Sequence, residues 1–413
     1  MKVGIVGAGT AGAAAALFLA RAGCEVTVLE RVAAPGPVGA GIVVQPTGQA
    51  VLARLGLLAP IAAAGARLDR LWCRTGGGRT LVELRYAAID ASWYGIGLHR
   101  GALFETLYRA AQVEPGVAIE TGCDVRGLRR DGARVFATIA DGSERGPFEL
   151  LVVADGAVSE LRGAAGLTAR DRPYPWGALW FVADDPDRIF SGELYQVGVR
   201  ARRLYGALPT GIAPGRSGPV VSLFWSLRAD RIDAWRAAGL APWKAEVAAL
   251  DPRMAPLLDQ IRDPAQVLFA RYRDIVMRRW HDDAVVFIGD AAHATSPQLG
   301  QGANLALCDA AALAEAIASS DGVAAALVAY ASARRRHLAY YQRMTRWLTP
   351  FFQSDSRVLG WARDWLFPLG NALPPVRGLM IRTMAGVKRG FVRGSLVLPE
   401  GVTKALPAPP AAG

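Results

Sequence analysis

Residues 2–12 read as an apolar run, KVGIV, and then without interruption Gly7-Ala8-Gly9-Thr10-Ala11-Gly12, after which the chain turns rich in alanine. A short strand, a turn with glycine at its first, third and sixth positions, and a helix are together the fingerprint of a dinucleotide site. Gly7 permits the tight turn, Gly9 lets the backbone approach a pyrophosphate, and Gly12 lets the helix pack closely on the strand. The free N–H groups of the first helical turn, where Ala11 lies, and the positive end of the helix then face the phosphates. A second strand over residues 25–29 ends at Glu30. That acid stands about 20 residues beyond the last glycine, where a ribose-binding carboxylate belongs. Arg31 follows and either touches the adenine or stands in solvent. The pattern fixes a Rossmann-type beginning and leaves the choice between NAD and FAD open.

A second motif at the far end of the chain makes that choice. Residues 284–288 read as a strand, Gly289-Asp290 follows, and Pro297-Gln298-Leu299-Gly300-Gln301-Gly302-Ala303-Asn304 leads into a long helix. A carboxylate directly after a strand sits at the carboxyl edge of the sheet, where open α/β folds bind ligands. Asp290 can there accept a hydrogen bond from a ribityl hydroxyl. The turn from Gly300 through Gly302 and Ala303 to Asn304 exposes N–H groups at a helix start, suited to the negative charge near N1 and O2 of a reduced flavin. Pro297 has no N–H to donate and fixes the loop beside the ring. A nucleotide site opened at residue 7 and completed near residue 300 suggests FAD, a long cofactor lying across a folded-back domain.

The 413 residues are enough for two domains and a tail. Residues 1–171 and 266–345 read as a discontinuous FAD-binding domain, with 71–98 a hairpin belonging either to it or to the substrate sheet. Residues 172–265 change texture to short strands rich in Trp, Tyr, Phe and Val, read as an inserted antiparallel substrate domain. Residues 346–397 form a helical C-terminal segment, and 398–413, rich in Pro and Ala, a disordered tail. The fold class is α/β. The net charge of +11 comes from scattered Arg without a long basic block, which argues for anionic cofactors and against nucleic acid. Four unpaired Cys indicate reduced thiols and a cytoplasmic protein, and no metal-spaced cluster appears. The first strand begins at Lys2, leaving no signal peptide, and no apolar run is long enough to span a bilayer.

Three motifs in this order resemble the single-component flavin-dependent monooxygenases with the para-hydroxybenzoate hydroxylase fold. They are the first glycine turn with Glu30, the stretch Val153-Ala154-Asp155-Gly156-Ala157-Val158-Ser159 with Arg162, and the Gly289-Asp290 run. Gly39-Ala40-Gly41-Ile42 and Leu98-His99-Arg100 are smaller echoes, and residues 345–386 resemble the C-terminus of ubiquinone-biosynthesis hydroxylases of the same superfamily. The resemblance adds Gly41 to the cofactor site, implies that Arg100 reaches the ribityl–phosphate part, and that Asp155 supports the cofactor-binding fold. It implies an enzyme that takes electrons from NADH or NADPH, bound transiently, and hydroxylates or epoxidises an aromatic or hydrophobic small molecule with O2 through a flavin C4a-hydroperoxide. A reductase or dehydrogenase of an isoprenoid-like alkene, a ligand-sequestering flavoprotein and a flavin halogenase are the alternatives. Trp176 and Trp180 do not fit the halogenase Trp-x-Trp-x-Ile-Pro segment.

Four side-chain groups complete the expectations. Gln45, Tyr195 and Tyr205 are the polar candidates for the substrate site, with Gln45 and Tyr195 catalytic beside Pro297 and Gly300. Trp180, Tyr205, Phe224 and Trp225 line the pocket. His281, His337 and Arg334-Arg335-Arg336 read as surface, and His99 and His293 as structural or near the flavin. The aromatic and basic residues of 346–377 are expected to pack on the cofactor domain and cap the pocket, with a peripheral membrane contact as the other reading. The oligomeric state is monomer or homodimer.

Overall fold

The computed structural model describes residues 1–391 and 394–398. All but the first residue of the expected tail lies outside them. A five-stranded parallel sheet runs in the order Val285–Phe287, Leu150–Val153, Lys2–Val6, Glu25–Glu30, Val117–Thr121. Residues 3–6, Leu150–Val153 and Val285–Phe287 are buried throughout because both faces of the sheet are covered there. Val3, Ile5, Leu150 and Val152 point to the helices Thr10–Arg21, Arg100–Val113 and Gly302–Ser319. Leu151, Val153, Val285 and Phe287, from the alternate positions, meet a small antiparallel sheet of Val125–Asp131, Arg134–Ile139 and Glu144–Phe148. The result is three layers with the parallel sheet in the middle.

The second body is a nine-stranded mixed sheet. Its main path is Leu268–Met277, Thr168–Asp184, Pro219–Arg228, Arg203–Ile212, Gly192–Val199, Ala66–Thr75, Gly95–His99 and Gly41–Val44, and Thr80–Arg85 pairs with Ala66–Thr75. The expected strands within 172–265 are all present. The sheet also takes the hairpin of residues 66–85, the strand Gly41–Val44, and Leu268–Met277, which the sequence assigned to the nucleotide layer. One pairing, Gly192–Val199 with Ala66–Thr75, is parallel, so the sheet is not purely antiparallel. The reason is that strands distant in sequence complete it: two neighbours need no connecting hairpin when each is supplied by a different segment.

Strand alternation corrects part of the expected pocket. On Pro219–Arg228, Phe224 and Trp225 must face opposite sides. Trp225, Tyr205 and Tyr195 lie at 4%, 1% and 2% exposure in one cluster with Trp243, Val247 and Met254, beneath the helices Ile232–Ala238 and Leu240–Leu250. Those helices had been missed among the strands of this region. The three aromatics are therefore core of the sheet's outer side. Phe224 turns the other way, 5.2 Å from the ring of Trp180, and packs with Leu204, Tyr86 and Phe352. The last three helices among the described residues are Val323–Phe352, Arg357–Ala372 and Pro374–Met384.

Trp225→Ala is expected to lower the unfolding free energy by about 3–5 kcal/mol, the usual cost of truncating a buried large aromatic. The flavin absorption spectrum should stay that of the wild type, and thermal melts alongside spectra check both.

Candidate active site

The two glycine motifs meet. A side chain on Gly289 would come within 2.8 Å of the Ala11 Cβ, and Gly289 holds φ +59°. Gly12 has no room at all: a Cβ there would lie 1.8 Å from the Gly7 carbonyl oxygen. Gly9 is different, for a Cβ would meet nothing within 4 Å. Gly7 and Gly12 thus serve the chain's own close packing, while Gly9 faces open space where a pyrophosphate fits. Glu30 accepts hydrogen bonds from the N–H groups of Ala8 (2.8 Å) and Val32 (2.9 Å), which fixes the turn, and each carboxylate oxygen retains a lone pair for a ribose hydroxyl.

Around Asp290 the donors of a cofactor cradle converge. Its carboxylate is exposed, makes no hydrogen bond or ion pair with the described residues, and lies 3.8 Å from where a Gly302 Cβ would stand. Gly302 opens the helix Gly302–Ser319, with Ala303 half-buried behind it; Gly289 borders Ala11 and Asp290 borders Gly302, so the starts of this helix and of Thr10–Arg21 both meet the Gly289-Asp290 turn. Pro297 is exposed in a single 3₁₀ turn, and Gly300 ends that turn in the left-handed region with free space around it. Arg31 and Arg100 are exposed and form no ion pair within contact distance among the described residues. One oxygen of Asp155 is buried without a partner, and burial pushes its carboxyl above the usual range against the pull of Ser159, Arg162 and Arg31. Open glycines, an unused carboxylate, free guanidinium groups and an orphaned buried oxygen fit an FAD molecule running from Glu30 to the Gly300 turn.

Two of the predicted cofactor residues also make contacts inside the protein. A Cβ on Gly41 would collide with Thr210, Ser222 and Leu208 at 2.7–2.9 Å, so this glycine lets the edge strand close on the curled sheet. The Asn304 amide is wholly engaged: its oxygen accepts from the Gln45 N–H, and its nitrogen donates to the carbonyls of Val43 and Gly300. Asn304 therefore ties the Gly300 turn to the strand Gly41–Val44. Gln45, buried, accepts from the Tyr86 hydroxyl at 2.6 Å, which links this clamp to the apolar cluster holding Phe224. On its other side the loop is held by Ser296, whose hydroxyl lies 2.6 Å from that of Thr349.

Sequence reasoning missed the buried network behind the site. Asp309, fully buried, accepts from the Gly289 N–H (2.9 Å), faces the His293 Nε2 at 2.5 Å and receives the Arg334 Nε at 2.7 Å. Arg334 also contacts His337 Nδ1 at 2.6 Å, and His337 Nε2 lies 2.8 Å from the Gly386 carbonyl. Arg334 and His337 were expected on the surface and are 4% and 1% exposed. The helix Val323–Phe352 turns this side onto Gly302–Ser319, and Asp309 supplies the charge that makes a buried arginine tolerable. A lone acid in the apolar run Leu305-Ala306-Leu307-Cys308-Asp309-Ala310-Ala311 was the available signal, since such charges are buried only when paired. Arg162, 1% exposed, is a second staple, donating to the carbonyls of Gly156, Ala157 and Ala291.

A family model described as FAD binding domain matches residues 1–345. The chain belongs to this family. It is 28% identical to a 6-methylpretetramide 4-monooxygenase of Streptomyces rimosus, over 95% of this chain and 94% of that protein. It is 27% identical to the ubiquinone hydroxylase UbiL of Rhodospirillum rubrum, over 92% and 89%. The solved structure of Klebsiella pneumoniae HpxO complexed with FAD and uric acid shares the fold, with a TM-score of 0.77 at 21% identity over 94% of this chain and 97% of that one. With such relatives the chain is an FAD-dependent monooxygenase, and the reductase, dehydrogenase and halogenase readings are not favoured.

Asp290→Ala should weaken FAD binding by roughly tenfold or more, the loss expected for a charged hydrogen bond, and Asp282→Ala should not. Flavin release on ultrafiltration measures it. The buried network also sets a pH dependence. Burial and the Arg334 charge push His337 down to about 3, so below its ordinary pKa of 6.5 the unfolded chain takes a proton that the folded chain refuses. Asp309 lies well below the usual carboxylate range: burial raises it, but His293 and Arg334 outweigh that. Its contribution is likewise present at neutral pH and lost in acid. The melting temperature should fall as pH drops from 6.5 toward 4, and His337→Gln should flatten that slope.

Proposed function

We propose that the protein takes electrons from NADH or NADPH and uses O2 to hydroxylate an aromatic or otherwise hydrophobic small molecule in the cytoplasm. FAD, when bound, supplies the redox chemistry and oxygen activation; the chain binds, orients and excludes water. One observation supports the position of the substrate. The loop around Pro297 and Gly300 is hydrogen-bonded, through Asn304 with Gln45 and through Ser296 with Thr349, to the elements that build the apolar cluster of Phe224, Leu204, Tyr86 and Phe352. A substrate between loop and cluster meets an apolar wall with few polar anchors, as small-molecule sites generally provide. Gln45, with its carbonyl already engaged by Tyr86, orients the wall, and the Trp180 indole, donating to the Tyr272 hydroxyl at 3.1 Å, stiffens its far side.

The test is a screen for compounds that stimulate NAD(P)H oxidation, with product mass read under isotopically labelled O2. Label in the product is the expected result. Slow oxidation that no compound stimulates would point to a flavoprotein that sequesters its ligand. Once a substrate is found, Phe224→Ala should raise KM or uncouple oxidation by roughly tenfold, about the value of one aromatic contact, whereas Trp225→Ala should not.

A further inference from the structure

The helix Arg357–Ala372 is amphipathic in the wrong sense for a helix in water. Arg363 is turned inward at 0% exposure, its guanidinium donating to the carbonyls of Arg200, Phe351 and Gly198, and Phe367 packs beside it on Phe351 and Phe352. The opposite side carries Val358, Trp361, Trp365, Leu366, Leu369 and, just past its end, Leu373, all between 55% and 71% exposed. Val358, Trp361, Trp365, Leu369 and Leu373 recur every three or four residues with Leu366 beside Trp365, so they form one stripe about 22 Å long at 1.5 Å per residue. Soluble proteins rarely leave so contiguous an apolar face uncovered. The buried arginine locks the helix in this orientation, so the exposure is built in. The expectation that the aromatics of 346–377 pack inward holds for Phe351, Phe352 and Phe367 and fails for Trp347, Trp361 and Trp365.

Charge identifies what covers the stripe. Arg357, Arg377 and Arg382 are exposed without acidic partners among the described residues, and the Arg79 guanidinium stands 5.6 Å from the Trp365 ring. Residues 357–384 contain one acid, Asp364, and Arg363 already binds it. A second copy docked by a two-fold axis would set arginines against arginines with no free carboxylate between them. An anionic lipid surface satisfies both features, with Trp and Leu entering the acyl boundary and arginines meeting phosphates. No helix among the described residues is long and apolar enough to cross a membrane, so the contact is peripheral. We propose that the outward face of Arg357–Ala372 with its flanking arginines is a docking surface for anionic membrane. Behind it, Phe367, Phe352 and Phe224 belong to one apolar cluster, so a substrate dissolved in the bilayer would meet the enzyme on the side nearest its pocket wall.

The test is flotation of the FAD-loaded full chain with phosphatidylglycerol-containing vesicles and with pure phosphatidylcholine vesicles. Binding to the anionic vesicles, weakening as salt is raised, is expected. Trp361→Ser combined with Trp365→Ser should reduce it by at least about tenfold, since the two indoles carry much of the apolar burial, with FAD content and melting temperature unchanged. Val113→Ser, an equally exposed apolar site on another helix, should bind like the wild type. No flotation with anionic vesicles, flotation indifferent to the double variant, or a dimer by light scattering that the double variant dissociates would each overturn the proposal. The readout involves no turnover, so its failure is separate from failure of the proposed reaction.

Discussion

The carboxylate of Asp309 is the interaction on which the site depends. Burying one ion costs several kcal/mol unless charge and hydrogen bonds surround it. Here His293, Arg334 and the Gly289 N–H all converge on it. The Gly289 bond holds the left-handed turn that sets the direction of Asp290, so the exposed carboxylate is aimed by the buried one. Arg334 carries the same constraint through His337 to the Gly386 carbonyl, tying the C-terminal helices to the cofactor layer. A pair this dry has little tolerance for losing one partner, which makes the network a rigid support.

The candidate site lies on a seam between two sheets of different character. The parallel sheet supplies strand ends and helix starts, the usual place for a dinucleotide in open α/β folds. The mixed sheet supplies an apolar wall. Polar stitches cross the seam: Asn304 to Val43 and Gln45, and Arg162 to Asp171. Asn304 and Val43 are far apart in the chain, so their bond exists only once both sheets are in place.

The C-terminal helices show how one segment can serve two environments. Their inner side closes the apolar cluster over the sheet, and their outer side offers tryptophan, leucine and arginine outward. The same composition, aromatic and basic by turns, is compatible with either use. What separates them is which residue of each helical turn is anchored, and Arg363 decides that by burying a charge among carbonyl oxygens.

The glycine turn, Glu30 and the Gly289-Asp290 run were legible in the sequence because each is local: a strand, a turn that only glycine makes, and a helix follow one another within a dozen residues. From them came the cofactor and the nucleotide layer. Strand positions too were legible, since alternation and turn residues are properties of short stretches. Which face of a strand looks at the cofactor was not. Phe224 and Trp225 are equally aromatic neighbours, and only the helices Ile232–Ala238 and Leu240–Leu250, packed on one side, draw Trp225 into their cluster and leave Phe224 to the other. Burial of Arg334 and His337 was equally out of reach, because a charge becomes tolerable in the interior only when a partner from another helix arrives, and that pairing exists only in the folded chain.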